Sequence, residues 1–431
     1  MKKSSSALTN TFTVRPTMPL WRENSSHQHR QMLQKDIVIV TPWLGSFAGG
    51  AESLARGMAR EFRRRGLNTI VFTTCSRSPY HSWWKDYYQP GTYNFEGVQV
   101  RRFRTNLNQS PYKDVILKIH AQNALTAGDE EDFFNFGINS NELCDALGEL
   151  SPERYEVLAL PYFHGLTHSA VNAYPGRVSL VPCFHDEPQF YWRATERLLV
   201  NAKHIFYNSP EEKEMTIKQY GRTVGRSVVE GTVAGVGIEL TEATDDPLPA
   251  QLSLPANYFV YAGRKERGKN VPLLCDWFTE HVRRTQTTMK LVFIGGGDND
   301  LLPRSDHFLD LGFVSEATKQ EVITRSRAMV NLSNNESFSI VIMEGWLLGV
   351  PPIVSAECPV MKGHVRRCNG GLYVYSSDEF SAALDYLVRN DAIRDQLASN
   401  GRRYVARNFS SDAVLARYLA TFAEPQCSVA G

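Results

Sequence analysis

The sequence holds no apolar run of the roughly 18 residues that a membrane-spanning helix needs. Its beginning does not read as a secretory signal: Lys2-Lys3 leads into Ser4-Ser5-Ser6, with no apolar core behind it. Cysteine pairs are missing too. Cys75, Cys144, Cys183, Cys275, Cys358, Cys368 and Cys427 stand singly, with no C-x-x-C and no tight Cys/His cluster. That pattern fits buried free thiols in a reducing cytosol rather than a zinc site or a disulfide frame. Neither sign of charge dominates. A formal net charge of +1 over 431 residues gives no overall pull toward nucleic acid. The local run Arg63-Arg64-Arg65 reads either as a dipole complement at a helix end or as a membrane-surface contact. The first strand-loop-helix has no G-x-G-x-x-G, which argues against a dinucleotide-dependent dehydrogenase.

What is present is an ordinary globular composition, 42% apolar and 22% charged, long enough for two domains with their own cores. Residues 1–35 are polar and without period, and read as a leader. From Asp36 the pattern alternates. Ile37 to Val40 reads as a buried strand, Ala51 to Arg65 as an amphipathic helix and Thr69 to Thr73 as the next strand. This β-α-β unit predicts a parallel sheet. Further strands are expected at 99–103, 157–160, 178–183 and 204–207. Residues 76–97 and 106–140 read as irregular insertions, the first rich in Tyr and Trp. Asp245-Asp246-Pro247 and Pro255 mark a linker over 241–256. A second alternating unit covers 257–407, with strands at 258–262, 289–294, 329–332 and 352–355. A last segment, 408–431, is helix and tail. The expected architecture is α/β: two Rossmann-like, doubly wound domains facing across a cleft, with ligands beyond the carboxyl ends of the strands.

The chemistry-bearing residues cluster at such strand ends. Glu336 and Glu344 flank an apolar run that opens a helix, and Gly349 and Pro351-Pro352 stop it. At about 1.5 Å per residue the two acids stand roughly 12 Å apart, too far to share a proton or one metal ion. They suit a long ligand with hydroxyls at both ends and an anion held at the helix N-terminus between them. Gly263-Arg264 follows a strand, and Lys269 lies near the next helix start; both cations can neutralise a diphosphate. Gly295-Gly296-Gly297 after another strand permits either close approach to a ligand or simply a tight turn. Asp298-Asn299-Asp300 has metal-binding spacing, but turn acids are common and no metal is expected. Gly49-Gly50, before Glu52, could line a sugar or phosphate from the first domain or merely start a helix. His185, and less so His164, follow first-domain strands and can face the cleft or serve packing.

Taken together, this ordered series resembles the retaining GT-B glycosyltransferases of family 4, over about Asp36 to Ala423. The likeness is strongest from Tyr258 to Tyr375, where Gly-Arg, Lys, the glycine turn, Leu311 to Val314, the E-x7-E segment and Gly349-Val350-Pro351 appear in order. The resemblance implies that Arg264 and Lys269 hold a donor diphosphate, that Glu336 binds donor-sugar hydroxyls and that Glu344 binds a ribose diol. It implies backbone support from Phe338 and Ser339, a donor site lined by Gly49, Gly50, Gly263 and Gly295, and His185 beside the transferred sugar. The segment 409–422 would be a closing helix that returns to the first domain. Ser339 stands where glycine is usual, and Gly345-Trp346 where two small residues are usual. The implied activity is hexose transfer from a UDP- or GDP-linked sugar to a glycan or glycolipid hydroxyl, as in polysaccharide synthesis. No cofactor, metal or nucleic acid is expected, and the location is cytoplasmic, with peripheral membrane contact if the acceptor is a lipid. A sugar-nucleotide epimerase of the same fold and a catalytically silent nucleotide-sugar binder remain as rivals.

Overall fold

The computed structural model describes residues 35–45, 49–79, 81–240 and 254–423. The expected leader before Lys35, most of the expected linker and the tail beyond Ala423 lie outside them, as do Tyr80 and Cys427.

The first sheet contains β1 (Asp36–Val40), β2 (Thr69–Thr74), β3 (Gly91–Phe95), β4 (Val98–Phe103), β5 (Tyr155–Ala159) and β6 (Val178–Leu180), in the order β3-β4-β2-β1-β5-β6. All neighbours are parallel except β3, which pairs antiparallel with β4 as an exposed edge. Ile37 to Val40 are fully buried because β1 is covered on both faces, which is why it reads as a continuous apolar run. A two-stranded extension, β7 (Phe206–Tyr207) with β8 (Thr232–Val233), joins beyond β6 through the Leu180–Ile205 bridge.

The second sheet contains β9 (Tyr258–Ala262), β10 (Lys290–Ile294), β11 (Phe308–Asp310), β12 (Met329–Asn331), β13 (Pro352–Ser355) and β14 (Leu372–Val374), in the order β11-β10-β9-β12-β13-β14, all parallel. The strand order reverses between β9 and β12. Chains leaving that pair diverge to opposite faces and open a crevice at their carboxyl ends.

Two expectations need correction. Residues 106–140 are not loose: they hold the helices Ser110–His120 and Ala127–Asn135. The second is fixed by a capping box between Thr126 and Asp129, so the acidic run 129–132 lies in a helix and supplies its cap. Lys269 does not open a long helix but closes the 3-10 turn Arg267–Lys269, before the helix Val271–Thr285.

The last helix, Ser411–Ala423, follows the helix Asp391–Asn408 and packs on the first domain. Tyr418 meets Phe62 and Phe206 edge-on or tilted, and Thr421 bonds Thr232 at 2.8 Å. One apolar core therefore runs from Ile37 and Phe62 through Tyr418 and Phe409 to Phe338 and Trp346. Trp346 fits because Gly401 and Gly370 leave it room. A Cβ on Gly401 would sit 2.0 Å from its ring, and its Nε1 donates to the Gly370 carbonyl at 2.7 Å.

Candidate active site

The crevice between β9 and β12 brings Lys269 and Glu336 together. Lys269 Nζ lies 2.9 Å from Glu336 Oε1 and donates to the Asn335 carbonyl at 3.2 Å. The loop Ser333–Ser339 carrying Glu336 is held at several points. Asn270 donates to the Leu332 carbonyl, Ser333 Oγ to the Asn335 carbonyl, and Ser355 Oγ to Asn334. The acid and the cation are both partly open to solvent, at 15% and 22%, so a ligand can reach either.

Arg264 follows β9 and is half-exposed, with Glu266 Oε1 3.2 Å from its Nη2. Its charge also acts on Glu52 of the first domain. Burial raises the Glu52 carboxyl, while its own backbone N–H, Arg264 and Arg56 oppose that rise. Arg264 therefore lies close enough to Glu52 for the two charges to interact. Gly49 is explained by the same carboxyl: a Cβ there would lie 1.9 Å from Glu52 Oε2. At Gly50 a Cβ would meet no atom of the described residues within 4 Å.

The structure gives Gly295 to its neighbours rather than to open space. At φ +120° a Cβ would stand 2.3 Å from the Gly263 carbonyl. The turn lets the β9 and β10 loops touch, with Lys265 N donating to the Gly296 carbonyl at 2.8 Å. Lys265 itself points into the protein, 1% exposed, and its Nζ pairs with Asp310 at 2.6 and 2.7 Å. Asp298 accepts from Asp300 N in its own 3-10 turn. Among the described residues no group of three His, Cys, Asp or Glu could hold a metal ion.

The helix Ile340–Leu347 begins at Ser339, which lies in the left-handed region at φ 68°, ψ 72° and makes no side-chain cap. A serine caps a helix from extended backbone, so this one cannot. The first N–H groups of the helix are left unclaimed by their N-cap, as an anion site requires. The Ser339 hydroxyl is buried without a partner among the described residues. Ser339→Gly is expected to raise the thermal midpoint by a few degrees. It removes a left-handed L-residue costing about 1 kcal/mol and a buried unpaired hydroxyl. A lower midpoint in differential scanning fluorimetry counts against this reading. Phe338 is buried against His364 and Phe409 and anchors the loop.

Glu344 lies further along the helix and is paired with Lys319, whose Nζ donates at 3.1 and 3.2 Å. Burial raises the Glu344 carboxyl, and Lys319 opposes that. Burial would lower Lys319, but Glu344 and Glu316 outweigh it and hold its pKa above the ordinary value. A carboxylate offers about four lone-pair sites, so Glu344 can hold Lys319 and a diol together. Nothing in the sequence pairs Lys319 with an acid 25 residues later; this contact belongs to the fold.

His185, just beyond β6, is partly exposed, with Nδ1 3.5 Å from Glu187 Oε1. Tyr162 donates to the same oxygen at 2.7 Å. Burial would raise Glu187, but bonds from His185 and Tyr162 outweigh it and keep the carboxyl below its usual range. His164 is partly buried, edge-on to Trp43, and desolvation lowers it to about 4, which suits packing. Asn208, after β7, reaches Ser337 Oγ at 3.5 Å, a direct contact between the two domains beside Glu336. A cavity of about 440 Å³ opens at the opposite end of the first sheet. Its Lys35 and Lys203 both pair with the buried Glu156.

Residues 246–404 match the family Glycosyl transferases group 1. The chain is 23% identical over 395 residues to a D-inositol 3-phosphate glycosyltransferase from a Nocardioides species, covering 84% of this chain and 82% of that one. It is 23% identical over 238 residues to the mouse (Mus musculus) alpha-1,3/1,6-mannosyltransferase ALG2, covering 51% and 56%. Among solved structures it superposes on the E. coli trehalose-6-phosphate protein bound with UDP-2-fluoro glucose. That match has a TM-score of 0.69 at 12% identity and covers 91% of this chain and 99% of that one. Anabaena HepE in complex with UDP and glucose gives 0.62 at 16%, covering 91% and 100%. The fold is GT-B, and the chain is a glycosyltransferase.

Proposed function

We propose that this glycosyltransferase moves a hexose from a UDP- or GDP-linked sugar to a hydroxyl of a glycan or lipid-linked acceptor, retaining anomeric configuration, as a family 4 enzyme. The observation that carries the proposal is the Lys269–Glu336 pair at the β9/β12 crevice, beside an uncapped helix N-terminus and Arg264. Cations and helix N–H groups meet where the leaving diphosphate gathers charge, and a carboxylate meets where sugar hydroxyls lie. The donor loses its bond between the anomeric carbon and the phosphate oxygen. The acceptor oxygen bonds the same carbon on the same face, and its proton passes to the departing phosphate. Arg264 and Lys269 stabilise that phosphate, so the chain's own cations supply the charge that a metal would. His185, fixed by Glu187, borders the sugar from the first domain. Closure of the two domains excludes water. The names of the relatives and the UDP-bound neighbours support a nucleotide-sugar donor and a polyol or glycan acceptor. The location is the cytoplasm, with peripheral membrane contact when the acceptor is lipid-linked.

A thermal-shift panel of UDP-, GDP- and ADP-sugars identifies the donor, since a ligand bound to the folded state raises the midpoint by mass action. Incubation with that donor, with and without acceptors, then separates the readings. A glycosylated product formed only with acceptor supports transfer. An isomerised sugar nucleotide from donor alone, or binding without turnover on every acceptor, contradicts it.

A further inference from the structure

We infer that Phe313 is the platform on which the donor's nucleobase stacks. The inference rests on the nucleotide-sugar reading above and adds a specific residue to it. Phe313 is the most exposed large apolar side chain among the described residues, at 71%. Leaving a phenylalanine in water forgoes about 1.5–3 kcal/mol of burial, so its position calls for a reason. Its neighbours Leu311 and Val314 turn inward, partly buried against the cluster that includes Ile294 and Val322, on which Val341 from the helix of Glu344 also packs. Gly312, at φ +62°, makes the turn between them, and its carbonyl accepts from Gly295 N at 2.7 Å. Phe313 is thereby directed outward, and it rests on Gly296, where a Cβ would stand 2.3 Å from the ring. The glycine is what lets the ring lie there.

The position matters as much as the exposure. At the carboxyl edge of the second sheet, the loops after β11, β10, β9 and β12 carry Phe313, Gly296, Arg264 and Glu336 respectively. Strands lie about 4.8 Å apart, so this row spans roughly 14 Å. It reads aromatic, glycine turn, cation, acid. The helix after Phe313 carries Lys319, which holds Glu344, the candidate ribose acid. The row thus runs from an aromatic face to a cation and an acid, as base, diphosphate and hexose follow one another in the donor, and Glu344 is tied through Lys319 to the helix that follows Phe313. Stacking needs only a π-face, so Phe313 contributes to purine and pyrimidine alike and does not choose between them.

The test compares wild type, Phe313→Ala and Phe313→Tyr by calorimetric titration with UDP, GDP and inorganic pyrophosphate. Because Phe313 is exposed, the variants are expected to fold, and circular dichroism checks that. The inference predicts that Phe313→Ala weakens whichever nucleotide binds by about 5- to 150-fold, the range of base–aromatic stacking. Pyrophosphate affinity stays unchanged, and Phe313→Tyr retains nucleotide affinity. In turnover, KM for the donor rises while kcat holds, because the contact is equal in ground and transition states. Equal nucleotide affinity in wild type and Phe313→Ala overturns the inference alone. Absence of UDP and GDP binding to wild type overturns the donor reading, and this inference with it.

Discussion

Lys269→Ala is expected to lower kcat for sugar transfer by about 10²- to 10³-fold while the fold survives. Lys269 is the better placed of the two cations. Its ammonium already lies within hydrogen-bond reach of Glu336 and the Asn335 carbonyl, at the mouth of the crevice where strand order reverses. Arg264 is half-exposed and shares its charge with Glu266 and Glu52, so more of its field is already engaged. Removing a preorganised group that stabilises developing charge in an enclosed site costs on this scale. The Lys269–Glu336 pair is partly exposed, so its contribution to stability is small after solvent screening. Glu336→Ala should fall similarly in rate, because the sugar hydroxyls lose their acceptor. Steady-state kinetics with the identified donor, alongside thermal midpoints, measures both. Full activity in both variants removes the assignment.

Trp346→Ala is expected to give the largest loss of stability, about 3–5 kcal/mol, the range for deleting a large buried aromatic. For a domain of this size that corresponds to a fall of roughly 10 °C in the midpoint of its transition. Trp346 is fully buried between the helix Ile340–Leu347 and the helix Asp391–Asn408, with Gly401 under its ring and Tyr404 edge-on at 6.1 Å. Alanine would leave a cavity that glycine on one side and backbone on the other cannot fill. It would also leave the Gly370 carbonyl without its donor. Trp346 and Glu344 share one short helix, so the variant should bind donor more weakly as well. Scanning calorimetry measures the first effect and titration the second. A midpoint within two or three degrees of wild type, an outer bound of about 1 kcal/mol, contradicts the packing account.

Much of this structure is legible in the sequence where burial and period agree. β1, β9 and β13 appear as continuous β-branched or aromatic runs because both faces are covered. Four strands carry no such signal. β3 is an exposed antiparallel edge, and of its Gly-Thr-Tyr-Asn-Phe only Phe95 is even partly buried. β8, β11 and β14 are two or three residues long and only partly buried. Their place is set by neighbours, not by composition. At the site, the acids and cations are visible because their spacing on a strand-loop-helix unit is local. Lys319 on Glu344, Asn208 on Ser337 and the buried Lys265–Asp310 pair are not visible, since each joins segments brought together only by the tertiary fold. Ser339 and Trp346 look out of place in sequence. The structure accounts for each differently: one sits in a strained left-handed turn, the other in a space opened by two distant glycines.

The central claim is that the second domain holds an activated sugar by its pyrophosphate, with a carboxylate at each end of the grip. A crystal structure with UDP or GDP bound tests it most directly. The account predicts phosphate oxygens within hydrogen-bond distance of Lys269 and Arg264, and ribose hydroxyls on Glu344. A nucleotide seated elsewhere, with these three side chains untouched, would contradict it.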